Sequence, residues 1–190
     1  MRTVTIVGVG LIGASFGLAL RKAGFGGRIL GVSSPDAIRD ALAVGAIDEG
    51  LPLQTAVPPA DVVYLSQTIR RIAATIGALD EWLKPGALVT DAGSTKVEIV
   101  ACARGAIRRA QFLGGHPLAG KETRGASSAD AELFRGRTYV LTPSETQELE
   151  TPIAREFLEW LKSMGALTLA LTPAEHDRIC LLYTSPSPRD

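Results

Sequence analysis

The sequence lacks an excess of either charge. Its 20 Lys and Arg balance its 20 Asp and Glu, for a formal net charge of zero. That balance excludes the basic footprint of a nucleic-acid binder and gives no purchase on an anionic membrane. The pairs Arg70-Arg71 and Arg108-Arg109 read as solvated helix faces. No apolar run reaches the roughly 18 residues that a membrane span needs. Met1-Arg2 leads at once into Thr3-Val4-Thr5-Ile6-Val7, so no signal peptide is expected. Cysteine is scarce: Cys102 and Cys180 lie far apart and show no ligand spacing. No bound metal is expected, and the reducing cytoplasm is the expected compartment. No repeat at a solenoid period is present.

What is there is an ordinary core-forming chain of 190 residues, 46% hydrophobic and 21% charged, long enough for one domain or one domain and the start of another. Short β-rich runs alternate with helical stretches. Strands are expected at 3–8, 28–33, near 47, 61–66, 87–91, 111–115, 138–142 and 167–171. Helices are expected at 11–22, 35–44, 70–83, 94–104 and 145–164. The strands are apolar on consecutive positions, the mark of a parallel sheet covered on both faces. The expectation is an α/β fold: a Rossmann-type, doubly wound, mostly parallel sheet over residues 1–171. A further helix is expected to start at Thr172-Pro173, with Thr172 as N-cap and Pro173 in the first helical position.

Gly8-Val9-Gly10-Leu11-Ile12-Gly13 closes a strand and opens a helix, the context a dinucleotide-binding turn requires. Gly8 permits the tight turn, Gly10 lets the backbone approach a pyrophosphate, and Gly13 allows close packing of helix on strand. Leu11 and Ile12 carry free amides at the positive end of the helix dipole. The second strand ends Val32-Ser33-Ser34-Pro35-Asp36, with Ser33 where an acidic residue commonly binds the ribose hydroxyls. Ser33 and Ser34 are assigned to the cofactor. The sequence does not decide NAD from NADP; it leans to NAD, because no adjacent Arg awaits a 2′-phosphate.

Ligands of open α/β sheets sit beyond the carboxyl ends of the strands, and two such ends are rich in polar groups. One reads Thr90-Asp91-Ala92-Gly93-Ser94-Thr95-Lys96, the other Gly114-Gly115-His116-Pro117-Leu118-Ala119-Gly120-Lys121-Glu122. His116 is the candidate proton acceptor. Pro117 restricts it to extended backbone, the preceding glycines leave room for a ligand, and imidazole titrates near neutrality. The plainer alternative, a histidine bonding a loop carbonyl, stays open. Ser94 either caps the following helix, holds a substrate oxygen, or does both. Asp91 is placed with the cofactor. Lys96 either attracts an anionic substrate or stabilises its loop. Lys121 and Glu122 lie by the substrate loop, where a mere ion pair is the alternative. Trp82 and Trp160 read as packing residues.

At these residues the sequence resembles the prephenate/arogenate dehydrogenase family of tyrosine biosynthesis. The matching pieces are Val7–Ser15, Asp91–Lys96, Gly115–Glu122, Leu133–Arg137 and Glu175–Arg178, in family order. The resemblance implies an NAD(P)-dependent oxidative decarboxylation of prephenate to 4-hydroxyphenylpyruvate, or of arogenate to tyrosine. The family's catalytic histidine matches His116 as general base and its serine matches Ser94. The sequence departs from the family at Thr68, where a proline is usual, and at Ser33. The resemblance also implies a helical C-terminal domain that makes a homodimer and supplies a substrate-binding arginine. That domain is expected to be missing, with residues 172–179 its first turns and the chain inactive alone. Cys180–Asp190 breaks the helix period, contains Ser-Pro-Ser-Pro at 185–188, and reads as the translation of a transposase-type sequencing adapter, so a non-native tail is expected. Two other readings stay open: a dehydrogenase of the β-hydroxyacid type, and a nucleotide-binding module without catalysis.

Overall fold

Apolar runs at 4–7, 62–65 and 88–89 become adjacent strands whose side chains alternate between two cores, and this alternation organises the molecule. The structure, a computed structural model, describes the backbone of residues 1–184 and the side chains of residues 1–180. In chain order the elements are β1 Thr3–Val7, α1 Leu11–Lys22, β2 Arg28–Val32, α2 Pro35–Ala43, β3 Glu49–Gly50, α3 Leu53–Ala56, β4 Val62–Leu65 and α4 Ile69–Leu79. There follow β5 Leu88–Asp91, α5 Val97–Ala106, β6 Gln111–Pro117, β7 Thr138–Thr142, α6 Pro152–Ser163, β8 Leu167–Ala170 and α7 Pro173–Thr184. The sheet order is β3-β2-β1-β4-β5-β6-β7-β8. Strands β1 to β6 are parallel, β7 runs antiparallel to β6, and β8 runs parallel to β7. The mostly parallel, doubly wound sheet matches the sequence reading.

One core packs Val4, Ile6, Val62, Tyr64 and Leu88 against α1 and α6, with Phe16 stacked on Tyr64 at 3.9 Å between ring centroids. The other packs Val7, Val63, Leu65 and Val89 against α4 and α5. Each fully buried Val, Leu, Ile or Phe contributes about 1.5–3 kcal/mol. The strand order reverses between β1 and β4, which opens a crevice at the carboxyl ends of those strands.

Several elements differ from expectation for physical reasons. The expected helix 70–83 stops at Leu79 and tightens into a 3₁₀ turn at Asp80–Trp82, where the Asp80 carboxylate takes the amides of Arg108 and Arg109 at 2.7 and 2.9 Å. The expected helix 145–164 divides into a 3₁₀ turn, Thr146–Glu150, and α6. Pro152 holds Thr151 extended, and the Thr151 hydroxyl accepts the Ala154 amide at 3.3 Å, so a new helix starts there. The helix expected over 94–104 runs from Val97 to Ala106. The strand expected over 111–115 continues through His116 to Pro117, because β7 pairs His116 with Val140 and Pro117 with Tyr139. α7 begins as expected, with the Thr172 hydroxyl and the Glu175 carboxylate exchanging bonds with each other's backbone amides at 3.2 and 2.9 Å. It continues to Thr184, past the break expected after Ile179. The rest of the expected non-native tail, residues 185–190, lies outside the described residues. Among the described residues no helix is long and apolar enough to cross a membrane.

Candidate active site

The turn after β1 is built by steric need. Gly8 has φ +95°, and a Cβ there would stand 2.3 Å from the Ser66 carbonyl oxygen. A Cβ on Gly13 would stand 2.1 Å from the Gly8 oxygen, so α1 packs directly on the turn. Gly10 is different: a Cβ there would meet nothing within 4 Å. Gly10 fronts open space at the N-terminus of α1, a helix with no side-chain cap and no acidic residue in its first turn. Free amides and a positive helix end facing a cleft suit a pyrophosphate.

That cleft has a volume of about 810 Å³. Gly8, Gly10, Leu11, Ile12, Ser33 and Ser34, the residues assigned to the cofactor, line it. The sequence reading did not foresee that Arg71 from α4, and Lys121 and Arg124 from the loop after β6, also line it, while no Asp or Glu does. Basic side chains thus stand in the cleft, on elements other than the second strand end on which the lean to NAD rests. Gly13 serves the cradle from behind, through packing.

Asp91 does not face the cleft. It is wholly buried, forms an ion pair with the equally buried Lys96, and accepts the Gly93 amide at 2.8 Å and the Gly115 amide at 3.1 Å. Lys96 also donates to the Gly115 carbonyl at 2.8 Å. The pair grips both backbone groups of the residue before His116. Assigning Asp91 to the cofactor and Lys96 to an anionic substrate is corrected on this point: burial turns both inward. Burial pushes the Asp91 carboxyl up and the Lys96 amine down, while their mutual attraction opposes both shifts. The glycines before His116 do not leave room for a ligand either. A Cβ on Gly114 would stand 2.3 Å from Thr142 Oγ1, and one on Gly115 would stand 2.7 Å from the Asp91 carbonyl oxygen. They admit the neighbouring strands.

His116 is half-buried at the end of β6. Burial, then His176 and Lys96, push its pKa down to about 4, against a pull upward from Asp177, so the ring is neutral at pH 7. Its Nδ1 lies 2.8 Å from Nε2 of the buried His176, whose Nδ1 lies 2.7 Å from Asp177 Oδ1. The same carboxylate accepts the Lys96 amide at 2.7 Å and the Val97 amide at 2.9 Å. The cap of α5 is thus Asp177, not Ser94, which is exposed in the loop before Lys96. The alternative of a loop-carbonyl partner for His116 is replaced by His176. Cys180 Sγ stands 3.4 Å from His176 Nε2, and the three ligand-type atoms of His116, His176 and Cys180 lie within 4.8 Å of one another. The two imidazoles already bond each other, so the cluster is a hydrogen-bonded chain. His176 and Asp177 entered the sequence reading only as parts of a matching segment; their position in the first turn of a capped helix was the available signal.

Lys121 pairs with Asp130 at 2.8 Å, not with Glu122, which is exposed. Trp160 packs edge-on against Phe25 at 5.3 Å, as expected of a packing residue. His116 and Ser94 lie outside the cleft lining but adjoin it in sequence, since Ala92 and Ala119 do line it.

Comparison with known proteins adds an independent view. A family profile described as prephenate dehydrogenase, nucleotide-binding domain, matches residues 16–167. A prephenate dehydrogenase of Lactococcus lactis is 37% identical over 184 residues, which cover 94% of this chain and 49% of that protein. The crystal structure of prephenate dehydrogenase from Aquifex aeolicus in complex with hydroxyphenyl propionate and NAD+ superposes with a TM-score of 0.83 at 32% identity, covering 94% of this chain and 63% of that one. Synechocystis arogenate dehydrogenase gives a TM-score of 0.85 at 32% identity, covering 96% and 64%. The chain thus spans about half the length of the curated relatives it matches. With its glycine cradle, basic cleft and buried histidine chain, it belongs to the family of prephenate dehydrogenase nucleotide-binding domains.

Proposed function

We propose that this chain is the NAD(P)-binding half of an enzyme that oxidatively decarboxylates prephenate to 4-hydroxyphenylpyruvate, or arogenate to tyrosine. The observation that carries the reading is a neutral imidazole, His116, held from behind by Lys96 and Asp91 at a strand end that adjoins a dinucleotide-sized cleft. Gly10 and the first amides of α1 would hold the pyrophosphate, and Ser33 and Ser34 the adenosine ribose. The nicotinamide, when bound, supplies the hydride acceptor. His116 takes the proton of the ring hydroxyl as that carbon is oxidised. It returns the proton to the phenolic oxygen after carbon dioxide has left the opposite ring carbon. No net proton is released, and aromatisation makes the step irreversible. Ser94 donates to the same hydroxyl oxygen.

For the cofactor, the cleft admits NADP as well as NAD, because Arg71 and Arg124 line it beside the Asp130-paired Lys121, and no carboxylate in the lining repels a 2′-phosphate. A homodimer formed through sequence beyond these residues, and a cytoplasmic location, complete the proposal. The test mixes the complete enzyme with prephenate and with arogenate, each with NAD and with NADP, and follows reduced cofactor. Turnover with at least one pair is expected, and none with any pair overturns the reading. His116→Asn lowers turnover by about a hundredfold, the scale of a lost general base.

A further inference from the structure

We propose that His176 and Asp177 form a positioning pair that fixes the tautomer of His116, so that its Nε2 is the atom that accepts the substrate proton. The inference rests on the reading of His116 as proton acceptor and names the groups that prepare it.

The argument starts at the carboxylate. Burial pushes the Asp177 carboxyl up, but the Val97 amide, the His176 ring and the Lys96 amide outweigh it and hold it below its ordinary value. An ionised carboxylate only accepts hydrogen bonds. His176 Nδ1, 2.7 Å away, must therefore carry a hydrogen. When Nδ1 carries the only ring hydrogen of His176, the ring presents a lone pair at Nε2. That atom lies 2.8 Å from His116 Nδ1, and two facing lone pairs at this distance repel, so His116 Nδ1 carries the second hydrogen. The one lone pair left on His116 is at Nε2.

The other charged and titratable groups around the ring are accounted for. Lys96 is committed to Asp91 and the Gly115 carbonyl, behind the strand. Cys180 Sγ stands 4.0 Å from His116 Nδ1, and burial pushes its thiol up, so it stays neutral. Cys180 also belongs to the stretch that reads as non-native, and nothing in the chain of bonds requires it.

The arrangement also serves the charged state. When the substrate O–H bond breaks and the Nε2–H bond forms, His116 becomes an imidazolium. Its Nδ1–H then donates into a ring that in turn donates to a carboxylate, so the new charge is stabilised without moving another proton. The carboxylate is rigid because two backbone amides of α5 hold it.

The chain has two histidines, which makes the test direct. ¹⁵N spectra of the histidine-labelled chain at pH 8 should show both rings protonated on Nδ1 and bare on Nε2. Asp177→Asn, whose amide donates to His176 Nδ1, should flip both rings and leave His116 protonated on Nε2. His176→Gln should leave His116 as a mixture of tautomers while keeping the Asp177 caps on α5, so it decides the matter should Asp177→Asn fail to fold. Cys180→Ala should change neither ring. In the complete enzyme both variants should lower kcat at least about tenfold, with KM moving less than about twofold. A wild-type His116 protonated on Nε2, or unchanged tautomers in both variants, would overturn the proposal. Full turnover in His116→Asn would instead defeat the proton-acceptor reading while the tautomer result stood.

Discussion

The Lys96 ammonium donates to the carbonyl of Gly115 at 2.8 Å, and so a wholly buried cation sets the backbone that presents His116. The same ammonium neutralises Asp91, which has no other cation beside it among the described residues. Removing one partner strands the other charge in the interior. Lys96→Met is therefore expected to cost about 3–5 kcal/mol of folding stability. Asp91→Leu combined with Lys96→Met should recover a large part of that loss, because no charge is then left unpaired. Urea unfolding of the two single variants and the double variant checks this. Purely additive losses would show that the two groups do not act as a pair.

Asp61 ties the start of β1 to the sheet. It accepts the Arg2 and Thr3 amides at 2.6 and 3.0 Å and pairs with Lys84. Burial raises its pKa, but Lys84 and the two amides outweigh burial and bring it down to about 2 from 3.8. A pKa lower in the folded state means stability that is present above about pH 4 and lost as pH falls through about 2. Asp61→Asn should cost about 1–2 kcal/mol at pH 7. The gap to the parent should close between about pH 4 and pH 2. A gap that persists unchanged at pH 2 would refute the assignment.

The His116 ring is predicted to titrate near pH 4, well below a free imidazole, because burial and its neighbours His176 and Lys96 disfavour the cation. Its folded value lies below its unfolded one, so the unfolded chain binds the extra proton first. Folding stability then falls as pH drops from about 6.5 toward 4. Proton NMR of the ring C–H resonances across this range reads the value directly. Titration near 6.5 would place His116 in water.

Legibility of this site in the sequence followed the range of the interaction. The capping box Thr172–Glu175 is local, and α7 began where it pointed. Thr151-Pro152 carries the same kind of signal, yet the amphipathic period across 145–164 hid it. The cap of α5 had no local signal: Ser94 stands in the usual place, but the acceptor is Asp177, brought from 81 residues away. Gly114 and Gly115 show the same limit. Small residues beside a candidate base invite a ligand on paper, whereas the space is filled by Thr142 and the Asp91 backbone. Arg71 was read as a solvated helix face because its entry into the cleft depends on where α4 lands.

The cleft's charge bears on the cofactor. Arg71, Lys121 and Arg124 line it, with Lys121 paired to Asp130 and no carboxylate in the lining itself. NADP should bind this chain no more weakly than NAD, and its affinity should fall more steeply with salt, since it carries the larger negative charge. Calorimetric titration of both cofactors at two ionic strengths checks this. NAD binding tenfold more tightly at low salt would show that the three cations do not reach the 2′ position.

The three glycines of the turn separate cofactor binding from folding. Gly8 combines φ +95° with a Cβ that would press on the Ser66 carbonyl, and a Cβ on Gly13 would press on the Gly8 carbonyl. Alanine at either position forces backbone apart, so both variants should lose stability before any ligand is added. Gly10 has φ −77° and open space where its Cβ would point. Gly10→Ala should melt within a degree or two of the parent, yet bind dinucleotide at least about tenfold more weakly, because the methyl would occupy the approach to the pyrophosphate. Thermal melts with and without cofactor separate the two effects: ligand-induced stabilisation should shrink in Gly10→Ala while the unliganded melt stays put. If Gly10→Ala binds as well as the parent, the space in front of Gly10 is not where the phosphates lie.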